Sequence, residues 1–281
     1  MTPLPNIPGY ELFQCLGGGP LTQVYSARHC SSDAPCAIKV LREDCREPSA
    51  AVKLLQREAR AGLAVSHPHL VRITYAHVMR PPHFLEMEML TGESLRRRME
   101  RDYRIGLADS LWIVRQTMEA LAALHGAGFT HGDVKPDNIH LVDDGTAKLI
   151  DLGFAHRPGE NVSFVRQGYL LGTANYVAPE LCAHDPLADE TTDLFSVGVT
   201  IYEMLTGRLP YAAGTTSQIL KRHRFDPPAS LRQISDGLPP SLVTIVERLL
   251  ARRPEDRPNA QTVIQQLIAL EIASLRHRRT A

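Results

Sequence analysis

Asp133, Lys135, Asn138 and Asp151 stand close together in Thr130-His131-Gly132-Asp133-Val134-Lys135-Pro136-Asp137-Asn138 and Ile150-Asp151-Leu152-Gly153. Carboxylate and carboxamide oxygens suit a hard cation, a carboxylate can orient an attacking O–H, and an ammonium offsets charge on phosphate oxygens. Asp133, Lys135, Asn138 and Asp151 are therefore the groups needed to hold a metal-bound triphosphate beside a hydroxyl, and phosphoryl transfer is the chemistry they suggest.

Such groups act only if the surrounding elements bring them together. Residues 139–142 and 147–150 read as a hairpin turned by Asp143-Asp144-Gly145. Asp-Gly between two apolar runs is first a turn signal, so these aspartates are assigned to the turn and not to a metal. The hairpin carries Asn138 and Asp151 to one of its ends.

Upstream, residues 10–16 and 24–29 read as strands around Leu16-Gly17-Gly18-Gly19-Pro20-Leu21-Thr22. Glycines allow backbone N–H groups to approach phosphate oxygens, although a plain tight turn explains the same run. A third strand, 36–41, puts Lys39 inside an apolar run, where an ammonium needs an anionic partner. The helical pattern of 51–65 places Leu54, Leu55, Glu58 and Leu63 on one inward face, so Lys39 is expected to pair with Glu58.

Strands at 70–79 and 83–89 follow, with Leu85 and Met87 on one face and Glu86 and Glu88 on the other. Thr91-Gly92-Glu93-Ser94 ends the strand-rich part and offers Ser94 as a helix N-cap. Arg96-Arg97-Arg98 on that helix reads as a solvated face, an acidic substrate being the alternative. Asp109 is expected to cap a helix running to Leu124, and helices are expected at 192–205, 241–250 and 260–275. Residues 154–176 lack periodicity, as functional loops do. The expected fold class is α+β, strands first and helices after.

Composition narrows the setting. The 281 residues carry 31 Lys and Arg against 31 Asp and Glu, which gives no support for a general nucleic-acid binder. Five cysteines, odd in number and without a Cys-x-x-Cys pair, read as reduced cytosolic thiols and not as disulfides or a zinc site. The first residues lack the pattern of a signal peptide, and the apolar run near 195–205 is interrupted by Glu203 and too short for a membrane span. A cytoplasmic protein is expected. Arg276-His277-Arg278-Arg279 reads as a solvated helix end, the cytosolic flank of a span in a longer protein being the alternative.

From about residue 10 to 275 the chain resembles the eukaryotic-type protein serine/threonine kinases, with a look closest to bacterial members. The resemblance implies a bilobal fold: a tail at 1–9, a small antiparallel β-rich lobe with one main helix at 10–90, a larger helical lobe at 91–275 and a basic tail at 276–281. It implies ATP with Mg²⁺, or Mn²⁺ in its place, and a protein Ser/Thr substrate, and leaves the oligomeric state open. Leu16, Gly17, Gly19, Thr22 and Val24 would cover the nucleotide, with Ala37 and Lys39 beneath. Met87 would stand as gatekeeper, with Glu88 and Leu90 offering backbone groups to the adenine edge. Glu58 would hold Lys39, Asp133 would be the catalytic base, Lys135 the phosphate clamp, and Asn138 and Asp151 the metal ligands. Thr173 belongs to Gly172-Thr173-Ala174-Asn175-Tyr176-Val177-Ala178-Pro179-Glu180, similar to the segment that closes the activation loop. Glu180 would pair with Arg257, and Asp193 would brace the catalytic loop.

The chain departs from that pattern at Gly132, where members switched by loop phosphorylation carry an arginine that binds the phosphate. The loop also has few hydroxyls, chiefly Ser163 and Tyr169, so activity independent of loop phosphorylation is expected. His131-Gly132-Asp133 occurs too in small-molecule phosphotransferases such as those acting on aminoglycosides, and Lys135, residues 172–180, Asp193 and Arg257 stand against that reading. A pseudokinase scaffold is the other alternative, and the presence of Lys39, Glu58, Asp133, Asn138 and Asp151 stands against it.

Overall fold

Short apolar strands near the N-terminus pair antiparallel around a buried face, in a computed structural model that describes residues 4–42, 45, 48–160, 172–182, 189–234 and 237–279. β1 (Tyr10–Gly18), β2 (Thr22–His29), β3 (Pro35–Leu41), β4 (Ile73–His77) and β5 (Phe84–Glu88) form one sheet in the order β1-β2-β3-β5-β4. Lys39 is registered between Val24 of β2 and Leu85 of β5, in the middle of the sheet.

Both sheet faces are packed. Phe84 joins Tyr25, Ile38 and Val40 on one face, while Leu85 and Met87 join Leu55 and Ala59 of the helix α1 (Pro48–Ala64) on the other. The inward stripe of α1 differs from the expectation: Leu63 is 56% exposed, and Ala51, Leu55, Glu58, Ala59 and Gly62 face inward. Small residues let the helix lie close to the sheet, and a Cβ on Gly62 would stand 2.3 Å from Ile73 Cδ1. Leucine periodicity alone pointed to the wrong edge of the stripe.

The rest of the chain is mainly helical. Ser94 caps α2 (Leu95–Asp102), its Oγ accepting from the Arg97 amide as expected. α3 (Leu107–Gly126) starts after Gly106, so Asp109 is not its cap; it lies in the first turn and pairs with Arg98. β6 (Glu93–Ser94), β7 (Ile139–Leu141) and β8 (Ala147–Leu149) make a small sheet, β7 and β8 being the expected hairpin. α4 (Glu190–Thr206) is buried almost all round, as its continuous apolar run requires. α5 (Thr216–Phe225), α6 (Leu231–Ile234), α7 (Pro240–Leu249) and α8 (Ala260–Arg279) complete the helical lobe.

One large core fills this lobe, and Ala61 and Val65, at and just beyond the end of α1, join it. The basic triplet departs from a solvated face at Arg96. Its guanidinium donates to Glu203 Oε1 at 2.8 Å and to the Tyr176 hydroxyl at 2.6 Å, and it reaches Asp137 at 3.3 Å. Acceptors from three separate segments hold it. Ser163 and Tyr169 lie outside the described residues. Among those described, no helix is long and apolar enough to cross a membrane.

Candidate functional site

A cavity of about 490 Å³ separates the two lobes. Leu16, Gly17, Gly19, Thr22 and Val24 line it from β1, β2 and their connection, and Ala37 and Lys39 from β3. Met87, Glu88 and Leu90 line it from β5 and the segment after it. Lys135, Asn138 and Asp151 line it from the helical lobe, so residues far apart in sequence share one cleft. The Glu88 amide already donates to Arg72 O at 3.0 Å, which leaves its carbonyl as the backbone group it can offer a ligand.

The hairpin tip shows which glycine the backbone needs. A Cβ on Gly18 would stand 2.6 Å from Thr22 O and 2.9 Å from Gln23 Cα, Gly17 has open space but a φ of 159° that L residues rarely adopt, and a Cβ on Gly19 would meet nothing within 4 Å. Gly18, which the motif pattern did not single out, is fixed by the crossing of the two strands. Its signal in the sequence was only its place at the centre of a three-glycine run.

Lys39 Nζ lies 2.6 Å from Glu58 Oε2 and 2.9 Å from Asp151 Oδ1, with Lys39 7% and Glu58 2% exposed. Burial by itself disfavours the ammonium, but the facing carboxylates of Asp151 and Glu58 outweigh it and raise the Lys39 pKa. Removing either member of the Lys39–Glu58 pair would strand a buried charge. Asp151 has a left-handed φ of 64°, rare for a residue with a side chain, and its Oδ1 accepts from the Gly153 amide at 3.2 Å.

Asp133 is 5% exposed and surrounded by donors. Its Oδ2 accepts from Lys135 Nζ at 2.6 Å and Asn138 Nδ2 at 3.0 Å, and its Oδ1 accepts from the Thr173 hydroxyl at 2.9 Å. The carboxylate thus already takes a hydrogen bond from an aliphatic alcohol, the kind of group a phosphoryl-transfer base orients. Lys135 Nζ also reaches Thr173 Oγ1 at 2.6 Å, so Asp133, Lys135 and Thr173 form one cluster.

Two buried groups hold the loop that carries Asp133. His131 Nδ1 accepts from the Asp133 amide at 3.2 Å, so Nε2 carries the proton and donates to Ile150 O at 3.2 Å. That ring joins the loop of Asp133 to the residue before Asp151. Asp193, in the first turn of α4, accepts from the His131 and Gly132 amides at 2.8 and 2.9 Å and contacts His125 Nε2 at 2.8 Å. Burial pushes the Asp193 carboxyl up, and these donors and the nearby histidines more than reverse it. Arg257, its side chain wholly buried, binds Glu180 through both terminal nitrogens at 2.6 and 2.7 Å.

The donor set fits a hard divalent cation. Asn138 spends its amide nitrogen on Asp133, which leaves its carboxamide oxygen for a ligand, and Asp151 adds a carboxylate. The Ile150 amide donates to Asn138 O at 2.8 Å and ties the two ligand-bearing ends together. Mg²⁺ typically takes one or two protein oxygens and completes its shell with phosphate and water.

A family model described as the protein kinase domain matches residues 10–268. The chain is 31% identical over 249 residues to the serine/threonine-protein kinase PknD of Mycobacterium tuberculosis, covering 88% of this chain and 37% of that protein. It is 29% identical over 259 residues to the serine/threonine-protein kinase pkn3 of Myxococcus xanthus, covering 89% of this chain and 47% of that protein. It is 31% identical over 276 residues to the serine/threonine-protein kinase Pkn1 of the same organism, covering 97% of this chain and 39% of that protein. The chain therefore spans less than half the length of these curated bacterial relatives.

Proposed function

This chain belongs to the family of protein kinase domains, and from that premise we propose that it transfers the γ-phosphoryl group of ATP to serine or threonine hydroxyls of proteins. The observation that carries the reading is the cluster at Asp133, where a buried carboxylate accepts from an alcohol and from the Lys135 ammonium beside a cleft of nucleotide size. Asp133 orients the attacking hydroxyl, Lys135 and Lys39 offset charge on the phosphate oxygens, and Glu58 positions Lys39. Asn138 and Asp151 would hold Mg²⁺ or Mn²⁺, which would supply the rest of the charge neutralisation. Five free cysteines fit a cytosolic setting.

The test is labelled-phosphate transfer to a generic protein acceptor by wild type and Asp133→Asn, with the labelled residues mapped. Label is expected on Ser and Thr, with kcat lower in the variant by about a hundredfold to ten-thousandfold and ATP binding retained. Label on aminoglycosides but not protein would assign a small-molecule phosphotransferase, and ATP binding without transfer a scaffold.

A further inference from the structure

Glu160 bridges two parts of the molecule that the reaction needs in register. Its carboxylate binds both terminal nitrogens of Arg60 on α1, at 2.8 and 2.6 Å, and its carbonyl accepts from Arg57 Nη2 at 3.4 Å. The local sequence Arg157-Pro158-Gly159-Glu160 sets it there. Proline in second place and a glycine at φ 86° in third suit a type II turn, and Glu160 Oε2 accepts back from the Arg157 amide at 2.9 Å. The turn is connected to the catalytic loop: His156 and Thr130 exchange backbone hydrogen bonds at 2.9 and 3.1 Å. The Arg60 and Arg157 guanidiniums lie 5.6 and 4.8 Å from the Phe129 ring, next to Thr130.

Arg57 and Arg60 are one turn apart on α1, and at about 100° per residue Glu58 points well away from both. α1 is thus held on two faces, by Lys39 through Glu58 and by the turn through the arginines, and rotation about its axis would break both contacts. Meanwhile Gly132 has no room for a phosphate-binding side chain. Its φ is 82°, and a Cβ would stand 2.9 Å from Phe154 O.

We propose that Glu160 is a built-in anionic anchor, a positioning residue that keeps α1 and Glu58 in place without a loop phosphate. The proposal rests on the kinase reading above. Its test compares phosphatase-treated wild type, Glu160→Gln, Arg60→Gln and the double variant in kcat, ATP KM, urea midpoint and hydrogen exchange of the α1 amides without nucleotide. A bidentate pair of this exposure supports an effect of about threefold to fivefold. Each single variant is expected to lose that much kcat/KM for ATP and to speed α1 exchange by a like factor, with the urea midpoint lowered by no more than the same factor in the unfolding constant. The double variant is expected to match the singles, because they remove one shared interaction. Unchanged α1 exchange in both singles, an effect of Glu160→Gln that Arg60→Gln does not share, or loss of wild-type turnover on phosphatase treatment would overturn it. Absence of transfer by untreated wild type would sink the kinase reading, while the exchange measurement would still decide the anchor.

Discussion

At Asp151 a left-handed backbone and a shared ammonium converge on one carboxyl. Burial would push its pKa up from 3.8, but Lys39 and the Gly153 amide outweigh burial and hold it at about 2. The folded value is depressed, so the stabilisation it brings is fully present above the unfolded value and disappears as pH falls towards the folded one. Wild type is therefore expected to lose stability between about pH 4 and 2, and Asp151→Asn to lose less over that window, as read from urea midpoints at each pH. Some loss will remain in the variant, since Asp193 and Glu160 are also held below their ordinary values. Parallel midpoint curves for the two proteins would show that Lys39 does not hold Asp151 ionised.

Among the elements, the β1–β2 connection gives the sharpest contrast between motif and backbone. Gly17 and Gly19 match the family pattern but have open space where a Cβ would stand, while a Cβ on Gly18 would meet the backbone of Thr22 and Gln23. Adding a methyl against backbone costs about 1–3 kcal/mol, an effect of roughly tenfold or more. Gly18→Ala is expected to raise the ATP KM by about that factor and Gly19→Ala by less. The reverse order would mean that close approach of phosphate, and not the crossing of the strands, sets the glycine requirement. In α2, Arg96 shows the same dependence on long-range placement, since the partners that hold it are Asp137, Tyr176 and Glu203.

For the molecule as a whole, the segment that carries Glu180 is fastened to the helical body by the Glu180–Arg257 pair. The guanidinium is fully buried and planar, and it also donates to Thr191 O at 2.9 Å and Ala251 O at 2.9 Å. Arg257→Ala leaves the Glu180 carboxylate without its cation and is expected to destabilise the protein by about 3 kcal/mol, measured by urea unfolding. Arg257→Lys is expected to recover little, because an ammonium cannot reproduce the paired geometry. A loss within about 0.5 kcal/mol for Arg257→Ala would show that the pair does not fasten the segment.

Alternation and turn chemistry made the strands, the hairpin at Asp143-Asp144-Gly145 and the buried α4 legible in the sequence, because each reports neighbours within a few residues. The Lys39–Glu58 pair was legible too, since a charge inside an apolar strand and another on an apolar helix face need each other. Tertiary structure alone decided that Leu63 faces solvent, that Arg96 is held by Glu203, that Gly18 lies against the backbone of Thr22 and that Glu160 reaches Arg60. Periodicity says which face of an element is apolar but not which distant segment will lie against it. A contact between residues 100 apart is set by how two lobes close on one another, and no local pattern records that.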